Sequence, residues 1–289
     1  MKSKFSLRNK SGLFATMLPV SIWMLMFFIV PLFLILVVSF CTRGEAGDVI
    51  FSFTLSNYAR IANKLYVVIF LKSFLISLGT TIICLIFGYP FAFIIAKADK
   101  KIKPILLLLI ILPFWTNSLV RTYAMIILLR TEGIINTILL NIGLIKAPLH
   151  MMYNNFAVMI GMLYMMFPFM VLPLYASIEK LDMALLEAAD DLGAGPVDKF
   201  LKVTLPLTKG GILSGSLLVF VPTLGLFFIT DLMGGSKVVL MSNLIKNQFL
   251  TARDWPFGSA FSVILMIVMV IVIFYYTKSN SNKDKWEVF

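Results

Sequence analysis

Six long apolar runs constrain this chain more than any other feature of its sequence. A helix needs about 20 apolar residues to cross roughly 30 Å of hydrocarbon, and each run approaches or exceeds that length. Apolar residues make up 60% of the 289 positions and charged residues 13%, a balance unlike that of a soluble domain. The sequence therefore predicts an all-α integral membrane protein with six transmembrane helices in one domain, residues 1–289. The predicted spans are residues 13–40, 68–96, 105–129, 156–178, 212–232 and 259–276.

Basic residues between these runs predict the orientation of the chain. Residues 1–12 hold Lys2, Lys4, Arg8 and Lys10 without an acid, and the loop 97–103 is again strongly basic. Because basic loops remain in the cytoplasm, both termini and the loop after the fourth span are expected there. The same bias accounts for the net charge of +11 without nucleic acid. The first run is too long for the apolar part of a signal peptide.

The loop between the fourth and fifth runs is the most polar stretch of any length. Asp182 is expected to cap a helix, with Leu185, Leu186, Ala189 and Leu192 on one face. Gly193 can end that helix in the left-handed conformation. Pro196 suits the first turn of a second helix that ends near Pro206. Two short helices of this kind form a knob that fits a groove on another protein.

The spacing in this loop resembles the EAA loop of ABC importer permeases. The matching residues are Glu187, Ala188, Ala189, Gly193, Leu205 and Pro206. Val203 replaces the usual Ile, and Asp190 stands where many members carry Arg. The resemblance implies that the loop forms coupling helices seated in a cytoplasmic ATPase subunit. An ion pair made by that Arg is not carried over to this chain.

Polar side chains inside the third run form a candidate substrate pathway. Thr116, Asn117 and Ser118 follow Pro113, which removes a backbone hydrogen bond and favours a kink. Such residues face a cavity or a partner helix, since facing lipid is costly. Helix packing and a pathway role both remain open. The pathway candidates here are Trp115, Asn117 and Tyr123.

Asp231 is the one acid inside a predicted span, near the outer end of the fifth run. A carboxylate there can attract a cation, and Phe227 or Phe228 can offer it a ring face. An ion pair between Asp231 and Arg121, predicted at similar depth, is the alternative. Gly211 and Gly215 predict close helix packing at the start of this span.

The sequence contains no motif of an active site. It lacks the phosphate-binding G-x-x-x-x-G-K-[ST] loop, H-E-x-x-H and any Cys/His cluster. We therefore predict a transport subunit that has no catalytic residue, no metal site and no cofactor of its own. Energy from ATP must then arrive through a partner that binds ATP and Mg.

Further stretches resemble the spermidine/putrescine permease subunits of the MetI-like importer family. These are LPFWTNSLVRTY at 112–123, PLYASIEKLDMALLEAADDL at 173–192, DLMGGSK at 231–237 and RDWPFGSA at 253–260. The resemblance implies the MetI-like permease fold in a bacterial inner membrane and import of polyamines by alternating access. It also implies a second homologous permease, two cytoplasmic ATPase subunits and a periplasmic polyamine-binding protein.

Two alternatives remain at this point. The substrate of an ABC permease with these features is a polyamine or another cationic or small organic molecule. A stand-alone ion-coupled carrier belongs to a different class, which needs no ATPase dock and shows paired halves with broken helices. The EAA loop argues against the carrier.

Overall fold

A computed structural model describes residues 17–281, apart from the side chains of Met183 and residues 279–281. The basic segment 1–12, the start of the first predicted span and most of the C-terminal tail lie outside the described residues. The chain divides into two compact units. The first comprises Met1–Asn63 and Ile245–Val268, and the second comprises Lys64–Leu244 and Met269–Phe289. The expectation of one domain over residues 1–289 stays a prediction.

The described chain is almost entirely helical. One two-residue antiparallel ladder, β1 (Thr42–Arg43) with β2 (Val49–Ile50), was not predicted. The first helices are α1 (Met17–Ser39), α2 (Ser56–Ile61), α3 (Lys64–Lys97), α4 (Lys103–Ile111), α5 (Ser118–Leu129), α6 (Ile134–Asn141) and α7 (Asn155–Glu179). The others are α8 (Met183–Asp191), α9 (Pro196–Leu207), α10 (Lys209–Gly225), α11 (Phe227–Ile229), α12 (Met241–Leu250) and α13 (Trp255–Ser281).

Five of these stretches are long and apolar enough to cross a membrane, or six if the bent pair α9 and α10 is one span. They are Met17–Ser39, Lys64–Lys97, Ser118–Asn141, Asn155–Glu179 and Trp255–Lys278. This agrees with the predicted six-helix membrane fold.

The predicted bounds of the third span differ from the structure. The sequence predicts one span over 105–129 with a kink at Pro113, but α4 tightens into a 3₁₀ turn at Leu112–Trp115 and the chain becomes extended at Thr116. Helix α5 starts afresh at Ser118 and leads into α6. Pro113 accounts for the interruption, because it lacks the N–H of a helical residue and its ring disfavours the preceding turn.

The fifth predicted span also ends earlier than expected. Helix α10 stops at Gly225, Leu226 leaves the helical conformation (φ −76°, ψ 69°), and a π-turn over Thr230–Gly234 follows α11. The predicted span to residue 232 is therefore two pieces separated by a break. Asp231 lies in the second piece.

In the first unit, an ion pair between the exposed Arg60 and the buried Asp254 holds the start of α13. Asp254 accepts a 3.0 Å hydrogen bond from Arg60, whose guanidinium lies 3.8 Å from the centroid of the Phe257 ring. The same carboxylate accepts the Phe257 N–H, so Asp254 also caps the first turn of α13. Asn57 donates to the carbonyl groups of Ser39 and Cys41 and thereby fixes α2 to the end of α1.

In the second unit, α3, α7 and α10 pack together around a core rich in methionine. Met162, Met165 and Met166 of α7 are buried. Met170 lies between Gly88 of α3 and Gly215 of α10, where an added Cβ would stand 3.1 Å and 2.9 Å from its side chain. Side chains on these glycines would push the three helices apart. The predicted close packing at Gly215 is thus confirmed, and Gly211 meets Ser177 in the same way.

Candidate functional site

Helix α8 begins and ends through local interactions that its sequence predicts. The carboxylate of Asp182 accepts the Ala184 N–H at 3.0 Å, which confirms the expected cap. At the other end, the Ala194 N–H donates to the Ala189 carbonyl and the Gly193 N–H to the Asp190 carbonyl. This pair of bonds is a Schellman motif. Gly193 has φ +79°, the left-handed conformation that the motif requires.

Helix α9 follows after Gly195. Pro196 occupies its first turn and Asp198 lies beside its positive end, both as predicted. The helix contains a π-turn over Phe200–Thr204 and ends at Leu207, one residue past Pro206. A bend of 67° at Thr208 then separates α9 from α10. The loop and the following span are therefore joined through one sharp corner.

An ion pair links the two short helices. The Lys199 ammonium donates to the Asp190 carboxylate, and Lys202 pairs with Asp198 at 2.7 Å along α9. Asp190, which departs from the usual Arg of the resembled family, therefore has a partner inside the loop itself. Glu187 lines a cleft of about 420 Å³. Lys199 of α9 also lines it, as do Phe93 and Lys97 at the end of α3.

The loop presents apolar side chains to its surroundings. The prediction of a single apolar face on α8 is wrong in part, because Ala189 is buried and Leu186 half-buried whereas Leu192 is 88% exposed. Apolar side chains that remain this exposed in a polar loop, within the part of the chain that the structure describes, are a common mark of an interaction surface. We call these exposed residues the loop face: Leu185, Leu192, Val197, Leu201 and Leu207.

The candidate pathway residues of the third predicted span lie at its break. The side-chain oxygen Oδ1 of Asn117 accepts the Leu119 N–H at 2.8 Å, so Asn117 caps α5. Trp115, which is 78% exposed, ends the 3₁₀ turn, and Tyr123 is exposed on α5. The guanidinium of Arg121 lies 4.7 Å from the centroid of the Phe114 ring. Among the described side chains, its Nε atom is buried without a hydrogen-bond partner.

A buried amide positions Asp231. Asn243 donates both to the Asp231 carboxylate and, at 3.1 Å, to the carbonyl of Phe227, and its own oxygen accepts the Leu240 N–H. Sequence reasoning missed Asn243, because its partners lie up to 16 residues away and no local motif marks them. Asp231 is half-buried, and the Phe227 and Phe228 rings lie four and three residues before it in α11, with 6.3 Å between their centroids.

The structure brings some of the predicted pathway residues together. Helix α5, which carries Tyr123, contacts the π-turn that carries Asp231. The turn in turn packs on α7. An acid, aromatic rings and two broken helices therefore meet in one region of the second unit, and this chemistry suits an organic cation. Trp115 precedes α5 at the break.

Comparisons with known proteins agree with this architecture. The spermidine/putrescine transport system permease protein PotB of Haemophilus influenzae is 47% identical over 258 residues, 89% of this chain and 90% of that protein. Its Escherichia coli K12 counterpart is 48% identical, over 89% of this chain and 94% of that protein. A chain in the crystal structure of a bacterial alginate ABC transporter, in complex with an alginate pentasaccharide-bound periplasmic protein, superposes with a TM-score of 0.72. That chain is 16% identical, and the match covers 93% of this chain and 94% of that one.

The alginate transporter supports the fold alone, since its sequence is distant. The relatives of higher identity cover nearly the whole length. Residues 88–280, which include the loop, both helix breaks and most of α13, match the family described as "Binding-protein-dependent transport system inner membrane component". This chain therefore belongs to the family of binding-protein-dependent transport system inner membrane components, as a multi-helix permease.

Proposed function

We propose that this chain is a membrane-spanning permease subunit of an ATP-driven importer of spermidine and putrescine. The observation that carries the proposal is near-half identity with spermidine/putrescine permease proteins over 89% of the chain. The described geometry supports it, because a flexible polycation needs a carboxylate and ring faces. Asp231 and the Phe227 and Phe228 rings lie within four residues of one another in the chain, and Tyr123 lies on α5, which contacts the turn of Asp231.

Partners supply what this chain lacks. A second homologous permease shares the pathway, a periplasmic polyamine-binding protein delivers substrate, and two cytoplasmic ATPase subunits bind ATP and Mg. The loop face supports ATPase docking, since each of its five apolar side chains is about half or more exposed within the described residues. Glu187, Ala188, Ala189, Gly193, Leu205 and Pro206 belong to this coupling loop. ATP binding moves it, and the pathway turns toward the periplasm.

The assembly can be tested with the purified chain and its candidate partners. A tagged permease is expected to co-purify with an ATPase subunit and, in proteoliposomes, to import spermidine only when ATP and the binding protein are present. If the importer takes up another organic cation and no spermidine, the substrate assignment is wrong and that cation becomes the substrate. Uptake driven by an ion gradient without an ATPase would identify a secondary carrier and contradict the proposal.

Both termini and the loop 182–206 are proposed to be cytoplasmic. In a cysteine-free background, an impermeant thiol reagent added outside is expected to miss single cysteines at positions 100 and 198. It should label a cysteine at position 48, between β1 and β2. Labelling after membrane lysis serves as the control for reactivity. The reverse pattern would overturn the orientation and, with it, ATPase docking.

The ion pair between Asp190 and Lys199 is expected to contribute little to coupling. Both side chains are partly solvated, at 55% and 26% exposure, and such pairs contribute about 0.2–1 kcal/mol. Asp190→Asn should therefore change spermidine-stimulated ATP hydrolysis by less than about fivefold. Asp191→Asn, at the exposed neighbouring acid, is the matched control. A tenfold loss confined to Asp190→Asn would indicate that Asp190 itself contacts the ATPase.

A further inference from the structure

A buried hydroxyl pair joins helix α3 to the corner between α9 and α10. The Tyr89 hydroxyl lies 2.8 Å from Thr208 Oγ1, and both residues are buried. The Tyr89 ring also meets the Phe200 ring of α9 edge to face, with 5.4 Å between centroids. One side chain of α3 therefore contacts both the loop helix and the corner that connects it to the next span.

The direction of these hydrogen bonds follows from their partners. Thr208 Oγ1 lies 2.8 Å from the Thr204 carbonyl oxygen, which can only accept. A hydroxyl has one hydrogen, so Thr208 donates to Thr204 and the Tyr89 hydroxyl must donate to Thr208. Thr204 Oγ1 donates in turn to the Lys199 carbonyl at 3.3 Å. The hydrogen bonds of three hydroxyl groups thus connect α3, the corner and the first turn of α9, with the backbone of Thr204 between the second and the third.

The surroundings make this chain sensitive to movement. The neighbouring cleft of about 400 Å³ is lined almost entirely by apolar side chains, including Leu85, Pro90 and Ile212. A hydroxyl that loses its partner in such surroundings meets mainly apolar side chains, and leaving a buried hydroxyl unpaired costs more than the bond itself contributes. If α9 turns relative to α10, either Tyr89 follows Thr208 or its hydroxyl is stranded. A purely apolar contact between these helices would instead tolerate the movement, because it has no directional bond to lose.

We propose that Tyr89 is a positioning residue that transmits displacement of the coupling loop to helix α3. This inference rests on the proposed function, because it assumes that an ATPase moves the loop. Tyr89 lies outside the EAA spacing and 119 residues before Thr208 in the sequence. Its hydroxyl holds the corner against α3, and its ring holds α9 through Phe200. Loss of the hydroxyl should uncouple ATP hydrolysis from import without weakening substrate binding.

The test uses the whole importer in proteoliposomes and measures ATP hydrolysed per spermidine imported. Tyr89→Phe keeps the ring and removes the donor, whereas Thr208→Val removes the acceptor at nearly constant volume. Each is expected to raise the ratio about five- to tenfold, with the KM for loaded binding protein unchanged. The double variant should be no worse than Thr208→Val, because Thr208→Val already removes the bond to Tyr89 together with the Thr208–Thr204 bond. Thr208→Ser should restore a near wild-type ratio.

Thr80→Val is the matched control, since Thr80 is buried in α3 and bonds to the Ile76 carbonyl of its own helix. An unchanged ratio in Tyr89→Phe, or additive effects in the double variant, would overturn the proposal. So would failure of Thr208→Ser to rescue, or failure of these variants to assemble, because both indicate a purely structural role. A wild-type importer that hydrolyses ATP but does not import spermidine would instead contradict the proposed function.

Discussion

Replacing Gly193 by Val is expected to abolish transport-coupled ATP hydrolysis. Gly193 has φ +79°, and among the described residues, apart from its own chain neighbours, no atom lies within 4 Å of the position of an added Cβ. The effect therefore arises from backbone strain alone and not from a steric clash with a neighbour. A β-branched residue in this conformation costs on the order of 1–3 kcal/mol. The helix end would rearrange to relieve it, losing both bonds of the Schellman motif and displacing α9 from α8.

Two variants separate strain from side-chain bulk at this position. Gly195 lies two residues later with φ −67° and equally open surroundings, so Gly195→Val should retain most coupling. Asn tolerates the left-handed conformation better than other non-glycine residues, so Gly193→Asn should be intermediate. Stimulated ATPase activity and membrane levels are measured together. Full coupling in Gly193→Val at normal levels would contradict docking through this loop.

Replacing Asp231 by Asn is expected to reduce polyamine uptake about tenfold or more, because a hydrogen bond to a charged group contributes about 1.5–3 kcal/mol. The change removes the charge but retains an oxygen that can accept the Asn243 amide. Assembly of the complex should therefore survive. Uptake is measured against spermidine concentration, with complex yield as the control for assembly. Glu132→Gln, at an exposed loop acid, controls for a general loss of negative charge.

A double variant decides between substrate contact and neutralisation of Arg121. If Asp231 served only to balance Arg121, removing both charges would leave neither unpaired in a low-dielectric region, and uptake should recover. If Asp231 contacts the cation, Arg121→Gln with Asp231→Asn should remain as impaired as Asp231→Asn. Recovery in the double variant would therefore contradict the substrate contact. The position of the guanidinium over Phe114 shows that Arg121 has an aromatic contact of its own.

The coupling loop was predictable in detail because its helix boundaries depend on near neighbours. Asp182 caps a residue two positions away, and Gly193 closes a motif within five residues. Pro196 starts the next helix through its own fixed φ. Such interactions leave a signal in the order of residues.

The breaks and the buried polar contacts were harder to predict. Pro113 indicated a kink, but the full interruption also needs Asn117 to restart the helix, and this capping role competes with its predicted pathway role. Nothing in the sequence marks the break at Leu226, because leucine is not a helix-breaking residue type. Asn243 and Tyr89 satisfy groups 16 and 119 residues away, so their partners become evident only once the helices are packed. A hydropathy profile does not distinguish these positions from the apolar or amphipathic runs in which they lie.

The thioether of Met170, held between Gly88 and Gly215, bears on how the three central helices can change places. Branched side chains interdigitate across a helix interface, so one helix can slide past another only if these side chains leave the grooves that they fill. The Met170 side chain is unbranched and polarizable, and it faces the backbones of two glycines. It can therefore keep contact with both helices through small rotations about its own bonds. The packing at the centre of the second unit therefore permits small shifts of the three helices relative to one another. A transporter that must repack this centre in every cycle would meet a lower kinetic barrier there than a Leu- or Ile-filled core would impose.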